Sequence, residues 1–342
     1  MSASEHPLVS VVTPSFNQAQ YLETAIQSVL GQDYPNLEYL VIDGGSTDGS
    51  IEILERYAEH LTFWASEPDS GQAEAINKGL RMAKGDIVCW LNSDDAYMPG
   101  AVSEAVQTAL QHPEAGMVYA DGLMVDSELR LLDPHRYRPL TSLDLLSFEV
   151  LLQPTVFIRR EALEEVGLLN ETYDLILDHE LWLRISGKFQ LIHVPQFWAL
   201  ERTHPQAKTI RQAAHFVSEA QRLVDWAASS AEFGSLVEGK RSRIQAGLNV
   251  FSARRLIDAG QHSDALKHML KALTLHPPTF LHYWYKFVQA SLGALGMEQM
   301  FFWYRDTRRQ LRFGYRIISL PHLEGYESGA QATYPSREPG HK

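Results

Sequence analysis

The 342-residue chain has a single cysteine, Cys89. No disulfide can form within it, and its composition gives no sign of an oxidising compartment. Cys89 sits in the apolar run Ile87-Val88-Cys89-Trp90-Leu91 and reads as a small core residue. Long hydrophobic runs are lacking too. None approaches the roughly 18 to 20 apolar residues of a membrane-crossing helix, and the nearest candidate is interrupted by Lys286, Gln289 and Glu298. Met1 to Pro7 has no apolar stretch of the kind a secretory signal needs, so the expectation is a cytoplasmic protein. Positive charge is scarce: 30 Lys and Arg face 42 Asp and Glu, a net charge of −12. The deficit is uneven. Residues 236–316 carry 13 Lys and Arg against 5 Asp and Glu, leaving 17 against 37 elsewhere. An acidic front half argues against nucleic acid as a ligand, while a basic tail permits contact with an anionic membrane surface or an acidic neighbouring domain.

What the chain does contain is an alternation of strand and helix patterns. Leu8 to Thr13 is a β-branched run ended by the turn Pro14-Ser15-Phe16-Asn17, and Tyr21, Leu22, Ala25, Ile26, Val29 and Leu30 then recur at helical spacing. A second strand, Leu37 to Ile42, stops at Asp43-Gly44-Gly45-Ser46-Thr47-Asp48-Gly49, and a helix follows over Ile51 to Glu59. Leu61 to Ala65 and Ala73 to Ala83 repeat the unit, the helix carrying Asn77-Lys78-Gly79 at its middle. Glycine costs about 1 kcal/mol in a helix interior, so Gly79 needs a packing or ligand reason. The fourth strand runs from Gly85 into Asn92-Ser93-Asp94-Asp95, placing two acids at a strand end. This order predicts an α/β fold with a parallel, doubly wound sheet.

Further along, the pattern predicts short strands at Met117 to Ala120 and Leu123 to Val125, a helix over Ser142 to Leu152 and a strand over Thr155 to Ile158. An amphipathic helix begins near Asp178-His179-Glu180, and strands Gln190 to Val194 and Phe197 to Glu201 lead to Arg202-Thr203-His204-Pro205. Three regions are expected: a catalytic domain over 1–205, a helical region over 206–320 and a disordered tail over 321–342. Ala253 to Pro277 resembles one tetratricopeptide-like helix pair, with Gly260 at its turn.

Val11-Val12-Thr13-Pro14-Ser15-Phe16-Asn17, Val41 to Gly49, Asn77-Lys78-Gly79 and Leu91 to Asp95 together resemble the family 2 glycosyltransferases, in family order. The likeness extends through Gln153-Pro154 and Leu177 to Arg184. The resemblance implies the GT-A fold, mostly parallel with helices on both faces, and inverting transfer of a sugar from a nucleotide-diphosphate donor. UDP-sugar is favoured, with GDP- or dTDP-sugar as alternatives, and a glycan or polyprenyl-linked glycan is the acceptor. It also implies Mg2+ or Mn2+, because a hard cation held by one or two carboxylates and the diphosphate offsets leaving-group charge. By resemblance Asp95 takes the metal and Asp94 the sugar and ribose. Pro14, Phe16, Asp43 and Asp69 form the base pocket, with Phe16 where the family more often has a stacking tyrosine, and Asn17 is a further nucleotide-sugar contact.

The second acid of the family's usual Asp-Asp-Gly-Ser is absent, since Gly44 follows Asp43. Asp43 and Asp69 are alternatively turn acids. Asn77 and Lys78 either touch the diphosphate or lie on a solvated helix face. Asp178 matches the general base, with Glu180 as runner-up and a helix N-cap as the plainer role. His204 is a further metal or diphosphate ligand, supported by Lys208, or else a surface histidine; Gln153 and His179 are acceptor or sugar contacts. The signature of processive synthases, Gln-x-x-Arg-Trp, is missing, which favours transfer of one sugar. A nucleotidyltransferase lacks support, because no Gly-rich loop with following Arg and Lys comes after the first strand. The rival from another class is a degenerate nucleotide-sugar binder acting as a scaffold through its helical tail. In that tail Trp284, Phe287, Phe301, Phe302 and Trp303 lie among Arg305, Arg308, Arg309, Arg312 and Arg316, which suits either peripheral contact with an anionic membrane or a helix face packed on the catalytic domain.

Overall fold

The structure, a computed structural model, describes residues 6–204, 212 and 215–320. Lys208 and the expected tail at 321–342 lie outside the described residues.

Four strands form the parallel half of the sheet: β1 (Val9–Ser15), β2 (Leu37–Asp43), β3 (Phe63–Ser66) and β4 (Ile87–Trp90). They lie in the order β3-β2-β1-β4. Three helices connect them: α1 (Ala19–Leu30), α2 (Ser50–Tyr57) and α3 (Gln72–Met82). β1 and β4 are buried along their whole length, as strands covered by helices on both faces must be. Gly79 has a packing reason: a Cβ there would run into the Val12 side chain on β1, so α3 lies closer to the sheet than any larger residue would permit.

The second half of the sheet is mixed. β5 (Ala96–Tyr97), α4 (Ala101–Gln111), β6 (Ala115–Val125), β7 (Leu131–His135) and β8 (Val156–Arg159) follow, and then β9 (Gln190–Arg202). The order continues β4-β8-β6-β9-β5, with β8 antiparallel to β4 and β6, and β9 parallel to β6. β7 pairs with the end of β6 that β8 leaves uncovered. The two short strands expected around Asp121-Gly122 are one strand, as are the two expected over 190–201. Both are irregular where the breaks were expected, with register shifts at Ala120/Asp121 and Asp121/Gly122 of β6 opposite Val194 to Ala199 of β9. The helix expected over Ser142 to Leu152 is only α5 (Ser142–Leu146), opened by a Thr141 capping box and followed by Phe148 with a left-handed φ of 59°.

α6 (Arg160–Val166) and α7 (Leu177–Lys188) complete this part. The helical region comprises α8 (His215–Ser229), α9 (Gly234–Gly239), α10 (Arg241–Asp258), α11 (His262–Leu275), α12 (Pro277–His282), α13 (Trp284–Ala294) and α14 (Glu298–Phe313). Its first helices continue the core of the sheet. Phe216 and Leu223 of α8 and Ile244, Leu248 and Phe251 of α10 join one apolar cluster with Trp90 of β4 and Leu181 of α7. α10 and α11 form the expected helix pair, with Gly260 at a φ of 73° in the turn and Ala265, Met269 and Ala272 fully buried.

Candidate active site

The C-terminal ends of β1, β2 and β4 carry the first set of candidate residues, at the edge where α/β sheets place ligands. Asp43 ends β2, fully buried. Its carboxylate accepts bonds from the backbone of Gly45 and Ser46 and from the hydroxyls of Ser46 and Ser66. This is the turn-acid role, with three of the bonds on Oδ1 and one on Oδ2. Asn17 does similar work, its side-chain oxygen accepting from the Thr47 backbone and its own backbone N–H reaching Ser46 Oγ. Pro14 is buried in β1 opposite Ile42, whereas the Phe16 ring is 57% exposed, a free face for stacking. Gly44 has a physical cause: a Cβ there would stand 2.7 Å from Asp69 Oδ2. The Asp69 carboxylate thus occupies the space beside position 44, and burial raises its pKa against the opposing bond from the Gly71 N–H.

The Asn77 side chain is turned away from this edge. The Asn77 amide is buried, donating to Leu169 O and Glu171 and accepting from Leu169 N, so it struts α3 to the loop before α7. Lys78 pairs with Glu67. The Asn77 amide is thus engaged within the protein, while the Lys78 ammonium stays at the strand edge beside Glu67, the residue after β3.

Asp94 and Asp95 occupy the turn after β4. Asp95 is 4% exposed and accepts from the Arg202 backbone N–H at 3.0 Å, which binds the turn to the end of β9. Its pKa is raised well above the usual carboxylate range by burial, then by Asp94 and Glu201. Asp94 is bonded to His204 Nε2 at 3.1 Å. The His204 ring is buried against Tyr21, its Nδ1 without a partner, and the Arg202 guanidinium lies over the same Tyr21 ring, 4.4 Å from its centroid. His204 is therefore not a surface histidine. Among the described residues no three His, Cys, Asp or Glu groups are close enough to hold a metal by themselves. Two adjacent carboxylates short of a full ligand set still fit Mg2+ or Mn2+, which keep waters and substrate phosphates as ligands.

α7 brings Asp178 to the same place. Trp182, one turn further on, stacks on Trp90 of β4 with centroids 5.2 Å apart, both rings fully buried, so α7 is registered against the strand that carries the acid turn. Glu219 of α8 accepts from the backbone N–H groups of Asp174, Leu175 and Ile176 and fixes the entry to α7. Burial pushes Asp178 up to about 6, opposed by bonds from the backbone and by Arg255. Its neighbours have structural roles. His179 bonds Leu145 O and stacks on Phe148, and burial pulls it down to about 4, so it is neutral near pH 7. Glu180 pairs with Arg184, whose guanidinium also donates to the carbonyls of Val166, Gly167 and Leu168. Gln153 donates to Trp90 O, although its Oε1 is buried without a partner. Glu180 is thus engaged within the protein, while His179 keeps a buried Nδ1 without a partner.

Sequence reasoning missed Glu201 and Arg255. Glu201 stands on β9, pushed up to about 7 by burial and by its neighbours Asp94 and Asp178, with Arg255 opposing. Asp94 and Asp178 are thus both among the charges that act on it.

This combination of a mixed α/β sheet, acids at the end of β4 and a further acid at the start of a packed helix defines a nucleotide-sugar-transferase type of fold. The chain matches the description Glycosyl transferase family 2 over residues 10–167. It is 32% identical over 173 residues to a putative teichuronic acid biosynthesis glycosyltransferase, TuaG, of Bacillus subtilis, covering 48% of this chain and 67% of that protein. It is 30% identical over 191 residues to an uncharacterized glycosyltransferase of Rickettsia felis, covering 52% of this chain but only 31% of the relative's length. Among solved structures, the mannosyltransferase PcManGT from Pyrobaculum calidifontis, in complex with GDP-Man and Mn2+, superposes with a TM-score of 0.58 at 22% identity, covering 86% of this chain and 88% of that one. Residues 1–349 of S. aureus TarS with UDP-GlcNAc give 0.56 at 16% identity, covering 90% and 92%. The chain belongs to glycosyltransferase family 2, with the GT-A fold.

Proposed function

We propose that this chain is a metal-dependent, inverting glycosyltransferase that moves one sugar from a nucleoside-diphosphate sugar to a hydroxyl of a glycan or polyprenyl-linked glycan, with Asp178 as general base. One observation carries the reading: Trp182 of α7 stacks on Trp90 of β4, so the helix that begins at Asp178 is packed on the strand that leads into the Asp94-Asp95 turn. In the reaction the acceptor oxygen bonds the anomeric carbon as Asp178 takes its proton. The bond from that carbon to the diphosphate breaks, and its electron pair leaves with the diphosphate. Mg2+ or Mn2+ held by Asp95 would supply charge stabilisation to that leaving group. His204, hydrogen-bonded to Asp94, orients the acid pair.

With Asp43 engaged in its own turn, the nucleobase is read by Asp69 beside Gly44 and by stacking on Phe16. A UDP-sugar remains the favoured donor. The names of relatives in teichuronic acid and O-antigen biosynthesis support a polysaccharide or its lipid-linked precursor as the acceptor. A thermal-shift screen of UDP-, GDP- and dTDP-sugars with Mn2+ tests the donor. The largest rise is expected with a UDP-sugar, reduced in Asp69→Asn, and a flat response to all three would contradict the reading.

The basic tail is assigned to an anionic membrane surface. Arg308 and Arg309 pair with Asp133 of β7 and so hold α14 to the sheet. Even so, Leu281, Trp284, Leu295 and Trp303 are each more than half exposed, within a region of positive charge surplus. Apolar side chains backed by cations suit the headgroup layer of an anionic bilayer. No helix among the described residues is long and apolar enough to cross a membrane.

A further inference from the structure

A cavity of about 600 Å³ lies at the seam between the sheet and the helical region. Its walls are α5 with the segment that follows it, the joint between α9 and α10, and α12 with Tyr283. None of the residues assigned above to donor, metal or base lines it. Pockets of about 300–1,000 Å³ hold small ligands.

The walls are pinned to one another. Asp144 of α5 accepts from Arg138 at 2.8 Å and from Arg243 of α10 at 2.6 Å, and the Tyr283 hydroxyl donates to Glu149 at 3.5 Å. Gly247 lets α10 close on the loop after α5, since a Cβ there would stand 2.2 Å from Ser147 O. The cavity is therefore built by the fold. Ser147 and Glu149 line it, while Phe148 between them is buried in the core and stacks on His179 with ring centroids 5.2 Å apart. A single ring thus connects the cavity wall to the residue after Asp178.

The lining carries both signs of charge, Lys240, Arg241 and Arg243 against Glu149 and Glu238. Among the described residues the side chains of Glu238, Lys240 and Arg241 have no hydrogen-bond or ion-pair partner, and Ser147 Oγ is buried without one. A bare anion would be repelled by the two glutamates, and a bare cation by the three basic groups. A sugar suits the mixture, because each of its hydroxyls can donate to a carboxylate and accept from an ammonium or guanidinium. Tyr283 adds an aromatic face for the apolar C–H side of a sugar ring.

We propose that this cavity is a glycan-binding subsite, which anchors part of the acceptor chain away from the residues of transfer. The inference rests on the acceptor being a glycan, and it gives the helical region a share in recognising it. Affinity for an oligosaccharide is then separable from turnover at Asp178.

The full chain is titrated by calorimetry with tetrasaccharides of glucose, N-acetylglucosamine and galacturonic acid, and with inorganic phosphate. Wild type is compared with Lys240→Ala/Arg241→Ala and with Glu238→Ala, all at exposed positions. At least one tetrasaccharide is expected to bind, about 10-fold or more weakly in the double variant and about threefold or more weakly in Glu238→Ala. Thermal shifts with donor sugars should be the same in all three proteins. No binding of any tetrasaccharide by wild type, equal binding by the double variant, or phosphate bound as tightly as the sugar overturns the inference. If the double variant does not fold, Glu238→Ala carries the test, and an unchanged Kd there refutes the subsite. Turnover that depends on Asp178 in a chain that binds none of the sugars removes the subsite alone. Sugar binding weakened by these substitutions in a chain that turns over no donor supports the sugar site and removes the transferase reading.

Discussion

Asp178 combines two properties that a general base needs, burial that raises its proton affinity and a position at the start of a helix packed against the strand bearing the donor-site acids. The base works only when deprotonated. Since its folded value is raised from 3.8 to about 6, turnover should climb as pH rises through about 6 and fall away below it. Asp178→Asn should remove the limb along with the activity, by about 100-fold or more in kcat. A pH-rate profile of the two proteins checks both statements. At this scale much of the site was legible in the sequence, because Asp94, Asp95 and Asp178 sit in short contiguous motifs whose acids are placed by local backbone. Some motif residues turn inward for a common reason. Asn77, His179 and Glu180 stand in the same motifs but point into the protein, and helical neighbours diverge by about 100° per residue, so adjacency in sequence does not mean adjacency in space. Glu201 gave only the weak signal of an acid in an otherwise apolar strand end. Arg255 gave none, since nothing local connects it to Asp178, 77 positions earlier.

At the scale of elements, the parallel half of the sheet was readable because its strands are short, largely apolar or β-branched segments, of which β1 and β4 are buried along their whole length. The mixed half was less so. Asp121-Gly122 and Pro195-Gln196 look like turns, yet each is absorbed as an irregularity within a long strand, because the β6–β9 pairing holds the two distortions opposite one another. Gly79 is the clearest case of an element placed by one residue. Gly79→Ala gains about 1 kcal/mol of helix propensity but forces α3 off Val12, and overpacking of this kind costs about 1–3 kcal/mol. Net destabilisation of about 1 kcal/mol is expected, lowering Tm by about 2–4 °C. Calorimetric or circular-dichroism melting measures it, and an unchanged or higher Tm would show that α3 moves freely on the sheet.

For the whole molecule, the helical region has two faces with different duties. Its first helices carry Phe216 and Phe251 into the core of the sheet, while its last helices display Trp284, Trp303 and Leu295 outward. If the outward face rests on a bilayer, the chain should float with vesicles containing anionic phosphatidylglycerol at low salt and be released at moderate salt. Trp284→Ser with Trp303→Ser should reduce flotation several-fold without changing turnover on a soluble acceptor. Failure to bind anionic vesicles at low salt would remove the membrane role.

The transfer reaction itself is tested most directly by following nucleoside-diphosphate release from UDP-, GDP- and dTDP-sugars, with Mn2+ and glycan acceptors present, for wild type and Asp178→Asn. The expected result is acceptor-dependent release by wild type from one of the three, abolished by chelating the metal and by Asp178→Asn. Release that is absent from every donor, or equal in Asp178→Asn, would contradict the assignment of these acids as a metal-dependent transferase site.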